Sequence, residues 1–513
     1  MVFQLQFWNR NWLEVLIDLR SFVGVLGFFL LPSQASGNEA EVDFKKAFSA
    51  YQSQDYFQAA SLAFQAMGHD DRLKSSSYAL IARSLMAVPW PQSASYFFIR
   101  ALQMQHKQDQ VSVLTQTQDL LDAVGVDLLR KYLVKYTEYE DYDEKNLSAY
   151  LYALGKESLL KGETQEAIRS LGKIQDTSSL WPYSLQLKGT SYALLGEKEA
   201  ALSEFQLCEK EASRITRTRQ SQDLKSRCLA GQARTLYEMN RFQEADHIYG
   251  LIPKKSIVWP DVLFEQAWNF FSRSQFHRSL GKLIAYQNPL LSFVFNSEQE
   301  VLEAQSYWSL CYFPRAMQVI LKFNKKYTSI GQEIKNFLKI HENQMDQFYR
   351  LGKSSLRQSI HTSGINKVLN RFIRSSYFES FVESEKRALE EEKKINNFIS
   401  KKGKQKKFFE FLKKIIQWRL NTIHFLGGAF IKNSLIDYYS DLISNFEKIS
   451  FIKIEILKYE KEIIINNKRD RHKNIPQKFE ENFSDYLYWN FNEEFWIDEL
   501  GDYVFDIHSN CNH

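Results

Sequence analysis

Residues 151–208 read LYALGKESLLKGETQEAIRSLGKIQDTSSLWPYSLQLKGTSYALLGEKEAALSEFQLC, and they say nearly the same thing twice. Gly155, Gly162, Ala167 and Leu171 recur as Gly189, Gly196, Ala201 and Phe205, each pair separated by 34 positions. Two helices approach closely only where small residues face each other, so Gly155 with Ala167, and Gly189 with Ala201, mark the facing surfaces of two helical hairpins. Gly162 and Gly196 are the turns between the helices.

Extending this register in both directions turns two repeats into about eight. The second-helix anchors fall at Ala59, Ala94, Leu128, Ala167, Ala201, Ala245, Ser279 and Ala316, with gaps of 35, 34, 39, 34, 44, 34 and 37. Leu128 and Ser279 depart from alanine, and the 44-residue gap holds a polar segment, Ala212 to Gln222, that reads as a loop insertion. Trp181-Pro182 and Trp259-Pro260 each lie eight residues ahead of a first-helix anchor, Gly189 and Ala267. Proline there suits the first turn of a helix. The indole is expected to plug a joint between hairpins rather than to meet a ligand, since large rings are mostly buried.

The repeat resembles the tetratricopeptide family, whose pattern L-G-x2-Y followed by A-x3-F is met by Gly189, Tyr192, Ala201 and Phe205. Ser158 stands where the first copy should have tyrosine, Lys188 stands where the second should have leucine, and the late proline is missing from both. The resemblance implies a right-handed superhelix of hairpins whose concave groove presents first-helix side chains to a protein partner. The expected fold is therefore all-α, a tetratricopeptide-like solenoid over residues 40–350 with a capping helix at its end.

Composition agrees with a folded helical chain. Of 513 residues, 44% are hydrophobic and only 9 are proline, and a net charge of +5 is too weak to indicate nucleic acid or an anionic membrane. Phe22 to Leu31 is an apolar run preceded by Arg20 and followed by Ser33 and Ala35, which reads as a signal peptide over residues 1–35. The long leading region, with Glu14 and Asp18, keeps an uncleaved anchor as the alternative, and with it a membrane association through the N-terminus only.

After Tyr327 the register stops. Residues 351–480 carry 27 Lys and Arg against 15 Asp and Glu. Within them ESEKRALEEEKKI reads as a charged helix, KKGKQKK (401–407) as a turn, and Leu435, Tyr439, Leu442, Phe446, Ile449, Ile456 and Ile463 as the stripe of a short coiled-coil hairpin. Gly427-Gly428 reads as a kink or break in its second helix. Residues 481–513 carry no Lys or Arg against 8 Asp and Glu, and nine aromatic rings that require a surface to dock on.

That tail is similar to the C-terminal signature of exported tetratricopeptide proteins of Gram-negative envelopes, some linked to gliding motility. The similarity rests on Trp489 with Phe491, on Glu494-Phe495-Trp496, on Asp498-Glu499-Leu500-Gly501 and on Ser509-x-Cys511.

The four cysteines contain no CxxC, so no zinc ribbon or thioredoxin-type site is written here. Cys208 and Cys228 flank the insertion and are natural partners, which leaves Cys311 for Cys511; the alternative is four small buried hydrophobes. Chemistry is otherwise missing. No histidine pair has metal spacing, no G-x-S-x-G occurs, and Gly352-Lys353-Ser354 lacks the first glycine of a phosphate loop, because position 347 is Gln. Glu493, Glu494, Asp498, Glu499 and Asp502 suit docking on a basic helix better than a divalent cation. The expectation is a non-enzymatic, cofactor-free scaffold of the periplasm or outer membrane, with protein partners in its groove. The alternatives are an accessory subunit of a cell-wall enzyme and a cytoplasmic adaptor with an uncleaved anchor.

Overall fold

The computed structural model describes residues 37–214, 219–288, 291, 294–357, 364–400, 405–469, 507, 509 and 511. The signal segment and nearly all of the tail lie outside the described residues. Among those described, the regular elements are all helical. They gather into two compact units, one of Met1–Met239 with Ser380–His424, the other of Asn240–Glu379 with Phe425–His513.

The first unit begins with the hairpins α1 (Gly37–Gln52) with α2 (Tyr56–His69) and α3 (Lys74–Ala87) with α4 (Pro91–Gln103). Where a third hairpin belongs, three short helices follow, α5 (Lys107–Leu114), α6 (Thr117–Val124) and α7 (Val126–Tyr136). Gly125, at φ 86°, separates the last two, and the Leu128 anchor lies buried in α7. Then come α8 (Glu144–Leu160) with α9 (Thr164–Gly172), α10 (Trp181–Leu194) with α11 (Lys198–Ala212), and α12 (Arg219–Glu238). Arg219 to Gln222, read as part of the inserted loop, belong to α12 instead.

In the second unit α13 (Phe242–Gly250) precedes the hairpins α14 (Trp259–Ser272) with α15 (Phe276–Ile284) and α16 (Glu298–Ser309) with α17 (Phe313–Ile340). They are followed by α18 (Met345–Arg357) and α19 (Ile365–Ile373). Two long helices complete the chain, α20 (Ser376–Ser400) and α21 (Lys406–Arg469).

The hairpin turns repeat in detail. Gln54, Gly162, Gly196, Asn240, Ser274 and Cys311 all have φ between 56° and 79°, and each stands five residues before an anchor. The N–H after the turn residue reaches the carbonyl five back: Asp55 to Ala50, Glu163 to Ser158, Glu197 to Tyr192, Gln275 to Phe270 and Tyr312 to Tyr307, all at 2.9 to 3.0 Å. A left-handed residue closed by this bond is a Schellman cap, which satisfies the last carbonyls of the first helix while reversing the chain. Only two of the six positions are glycine, so the others hold the turn against the steric cost of a Cβ.

The anchors Ala59, Ala94, Ala167, Ala201, Ala245, Ser279 and Ala316 are 0% exposed. Opposite them, a Cβ on Gly155 would run into the side chain of Leu171, and one on Gly189 would lie 2.9 Å from the Phe205 ring. Gly231 on α12 crowds the same ring, so Phe205 fills a notch between two helices whose glycines make room for it. Trp181 packs with Tyr183 on the cluster of Leu185, Cys208, Ala212, Leu224 and Cys228, and Trp259 packs with Leu263, Ala285 and Leu291, so both indoles sit at joints. Lys188, which departs from the leucine of the pattern, pairs with Glu204 at 2.7 Å.

In the first unit α20 and the start of α21 form a hairpin of their own, tied by Gln417 to Glu392 at 2.5 Å, by His424 to Glu385 at 3.0 Å, and by the stacked rings of Phe398 and Phe409 at 4.6 Å. It lies on the second helices. Phe57, Phe64, Trp90 and Tyr96 meet Phe398, Phe409, Phe411 and Trp418 with ring centres 4.9 to 6.4 Å apart. Helix α4 has no cap from its own chain neighbours. Glu391 supplies one, accepting from the Gln92 and Ser93 amides and the Ser93 hydroxyl, each at 2.9 Å. Arg419 donates to Gln92 Oε1 at 2.8 Å and to the Val124 carbonyl at 3.3 Å, while Arg387 donates to the Ala123 carbonyl at 3.2 Å. A carboxylate at a helix start and guanidinium groups at a helix end both oppose the helix dipole.

In the second unit the buried seam of α21 is Leu435, Tyr438, Leu442, Asn445, Ile449, Ile452 and Ile456, alternately three and four apart. Tyr438 therefore takes the inward place that the heptad reading gave to Tyr439. The seam's partner is the hairpin α16–α17: Asn445 donates to Ser297 at 2.9 Å, Phe446 meets Phe323 at 4.9 Å, and Leu442 closes on Gly331. Gly427-Gly428 does not break α21. The carbonyl of Met345 occupies the space where a Cβ of Gly428 would stand, so the glycine serves a close approach. Gly352 likewise sits within α18 against Phe378 and Ile431, which removes any phosphate-loop reading of Gly352-Lys353-Ser354.

Two disulfides cross-link the chain. Cys208–Cys228 joins α11 to α12 with Cα atoms 5.9 Å apart, and Cys311–Cys511 joins the α16–α17 turn to the C-terminal end with Cα atoms 5.2 Å apart. In the chain-entropy model, bridging 20 and 200 residues contributes about 3 and about 5 kcal/mol.

Two substitutions test the packing. Ala201→Leu should overpack the α10–α11 contact and lower stability by about 1–3 kcal/mol in denaturant titration, whereas Gly172→Ala, at a helical position with open space around it, should not lower it. Glu391→Ala should cost on the order of 1–3 kcal/mol by leaving two buried amides unpaired, with Ser93→Ala costing less.

Candidate binding surface

With the second helices of α1–α4 carrying the α20–α21 hairpin, the candidate surface of the first unit is that of its first helices. Tyr152 and Lys156 lie one turn apart on α8, Tyr183 opens α10, and Arg227 lies in the first half of α12. All four are half-buried. Burial drives the Tyr152 phenol well above its ordinary value, the nearby Asp127 and Tyr183 adding to the effect and Arg227 opposing it. Tyr183 is raised as well, by burial first, with Arg227 opposing and Asp122 reinforcing. Both phenols are therefore neutral hydroxyls, able to donate a hydrogen bond at any physiological pH.

Below this pair lies an ion cluster on α7 and α8. Asp127 accepts from Arg130 Nε and Lys156 Nζ, both at 3.0 Å, and Arg130 also bonds the Glu157 carboxylate. Burial works to raise the Asp127 carboxyl, but Lys156 and Arg130 outweigh it and hold the group below its ordinary range. The cluster fixes Lys156 one turn from Tyr152. The result is a strip of hydroxyl, cation and ring faces suited to the backbone and side chains of an extended peptide.

In the second unit the first helices present rings. Trp268 and Phe271 on α14 are half-buried with centres 5.5 Å apart, and Trp308, at the place in α16 that Phe271 holds in α14, is 38% exposed. On the same helix Glu303 is pushed up to about 7, by burial and then by the Glu300 carboxylate, against Lys322 and Lys326. Glu300 is itself buried, accepting from Lys326 Nζ at 2.5 Å and the Tyr327 hydroxyl at 2.9 Å.

Among the described residues no group of three or more His, Cys, Asp or Glu could hold a metal ion. No helix of the described residues is long and apolar enough to cross a membrane. The acidic cluster of Glu493, Glu494, Asp498, Glu499 and Asp502 lies outside them. The repeat anchors Gly155, Ala167, Gly189, Ala201, Ala245 and Ala316 are packing positions beneath the strips rather than members of them. The strip residues themselves were not singled out from sequence. The signal that finds them is the register, since Lys156 directly follows Gly155 and Tyr152 lies one turn earlier.

No family model matches the chain, and no curated protein does. Among solved structures, the P58(IPK) TPR domain matches at 12% identity over 75% of this chain and 99% of that one, with a TM-score of 0.19. Yeast Tom70 matches at 10% identity over 85% of this chain and 99% of that one, with a TM-score of 0.22. Scores this low carry nothing by themselves. The tetratricopeptide-like, all-α solenoid rests on the repeated hairpins, their shared turn and their buried anchors.

Both carboxylates give a pH test. Asp127 has a depressed folded pKa, so its contribution is present above its unfolded value near 3.8 and is lost as pH falls through the folded value; Asp127→Asn should destabilise at pH 7, and by progressively less as pH is lowered below 3.8. Glu303 has a raised one, so stability falls as pH rises from 4.5 to about 7. Glu303→Gln should flatten that part of the melting profile and be the more stable protein at pH 8.

Proposed function

We propose that this chain is a non-enzymatic, exported scaffold that binds an extended segment of a protein partner along its first helices. The observation that carries the reading is the division of faces within each unit. Second helices α2 and α4 in one unit, and α17 with the very start of α16 in the other, are packed against the chain's own C-terminal helices. First helices α8, α10 and α12, and α14 and α16, offer hydroxyl, cationic and aromatic side chains instead. Rigid stacked hairpins hold such side chains in place, which lowers the entropic cost of capturing a flexible segment.

Export is supported by cysteine usage. All four cysteines are paired, and such bonds persist in oxidising compartments. The apolar run Phe22 to Leu31 supports the same address. A place in a Gram-negative envelope assembly, or one serving motility, is supported by the similarity of the tail alone.

Affinity capture from envelope extract with the parent and with Tyr152→Ala/Tyr183→Ala tests the binding surface. The double variant, which also gives up the packing of Tyr183 on the Leu185–Cys228 cluster, should stay folded with a lower melting temperature and lose at least ten-fold in affinity for the captured partner. Unchanged capture by the double variant, with loss on altering the exposed residues of second helices, would place the interface elsewhere. N-terminal sequencing should find the extracted chain beginning near Ser36. Intact Met1 on cytoplasmic protein with four free thiols would overturn the address.

A further inference from the structure

Three cations of the second unit gather on one ring. Arg273 follows the last residue of α14, Arg278 and Lys282 lie one turn apart on α15, and their charged groups stand 5.7, 5.6 and 5.9 Å from the centre of the Phe270 ring. The face of an aromatic ring attracts a cation, which offsets part of the repulsion among the three. Among the described residues neither Arg273 nor Arg278 is in an ion pair. The next hairpin repeats the arrangement. Arg315, at the place in α17 that Arg278 holds in α15, lies 5.9 Å from the ring of Tyr307, the residue equivalent to Phe270. Helix α15 packs against α16, so the two hairpins are neighbours.

This placement works against stability. The start of a helix is its positive end and favours carboxylates. Second helices α9, α11 and α13 conform, with Glu166, Glu199 and Glu244 in their first turns. Helices α15 and α17 have no acid there, and Arg278 and Arg315 occupy the register of Glu166 and Glu244, directly before the anchor. A departure from a local rule that recurs in register, without a gain in the fold, is characteristic of a functional site.

Carboxylates are also missing from the surrounding sequence. Residues 266–297 and 304–332, stretches of 32 and 29, contain no Asp or Glu, where the chain's average of 61 in 513 would put three or four in each. The acids between them are turned elsewhere: Glu298 bonds Lys448, Glu300 bonds Lys326 and the Tyr327 hydroxyl, and Glu303 faces Lys322 and Lys326. Glu265, the last acid before the first stretch, is buried.

We propose that this edge of hairpin turns in the second unit binds the carboxylates of an acidic segment of a protein partner. A guanidinium held against a ring keeps its edge N–H groups for a carboxylate, which accepts two of them at once. A few cations on two neighbouring turns match the few carboxylates of a short segment, whereas a nucleic acid or an anionic membrane calls for a stronger positive field than +5 over 513 residues supplies. The site belongs to a different unit from the strip of Tyr152 and Tyr183 and stands whether or not that strip binds.

Fluorescence anisotropy of a labelled oligoglutamate peptide with the oxidised full chain tests this, with oligoglutamine as the control. Oligoglutamate should bind, oligoglutamine should not, and the affinity should fall as salt rises. Arg273→Gln/Arg278→Gln should lose at least ten-fold, Arg273→Lys/Arg278→Lys should recover only part of that loss, and Tyr152→Ala/Tyr183→Ala should bind as the parent does. Arg278→Gln alone should weaken binding yet melt no lower than the parent, because it removes a cation from a helix start. Failure of the parent to bind oligoglutamate overturns the proposal, and so does equal binding by Arg273→Gln/Arg278→Gln. Arginine-dependent binding of single-stranded DNA, or of phosphatidylglycerol vesicles, that is tighter than that of oligoglutamate gives the site to another class of ligand and overturns it as well.

Discussion

The buried exchange between Glu391, Gln92, Ser93 and Arg419 is the constraint on which the first unit depends. Burial pushes the Glu391 carboxyl up and the Arg419 guanidinium down to about 10, so each is costly in isolation. The cost is offset because both meet helix ends that lack partners of their own, the open amides of α4 and the last carbonyls of α6. Buried charges satisfied in this way specify one docking position, since a shift of one turn along α20 would leave amides, carbonyls and both charges unsatisfied. The surrounding rings of Phe57, Trp90, Phe398 and Phe409 supply area and exclude water, but alone they would permit several registers.

Much of the repeat was legible from residues 151–208 because the requirement there is local and steric. A helix crossing admits only small side chains, and the spacing of glycine and alanine records it. Gln54, Asn240, Ser274 and Cys311 hid the same turn in other repeats, since a Schellman cap tolerates several residues at an energetic cost and leaves no single letter behind. Lys188 and Gly428 mislead in opposite ways. Along the chain Lys188 reads as a defect in the pattern, yet it forms an ion pair with Glu204; Gly428 reads as a helix break, yet it makes room for the Met345 carbonyl. In each case the cause lies on another helix, out of reach of a reading along the chain.

The candidate surface was legible only as a location. Repetition shows which helices come first in each hairpin, whereas the phenols of Tyr152 and Tyr183 are raised first by burial, with Asp127 of α7 and Asp122 of α6 adding to the rise and Arg227 of α12 opposing it. Nor does the sequence show that the C-terminal helices cover second helices, because Glu391 lies 299 residues from Gln92 and no periodicity connects them.

The bridge between Cys311 and Cys511 also changes how the molecule carries load. The bond joins positions 200 residues apart, so tension applied to the chain on either side of it runs from one sulfur to the other. Helices α17 to α21 lie on the slack side of that shortcut, and pulling cannot unzip them while the bond is intact. Reduction would place all of them in series with the force at once.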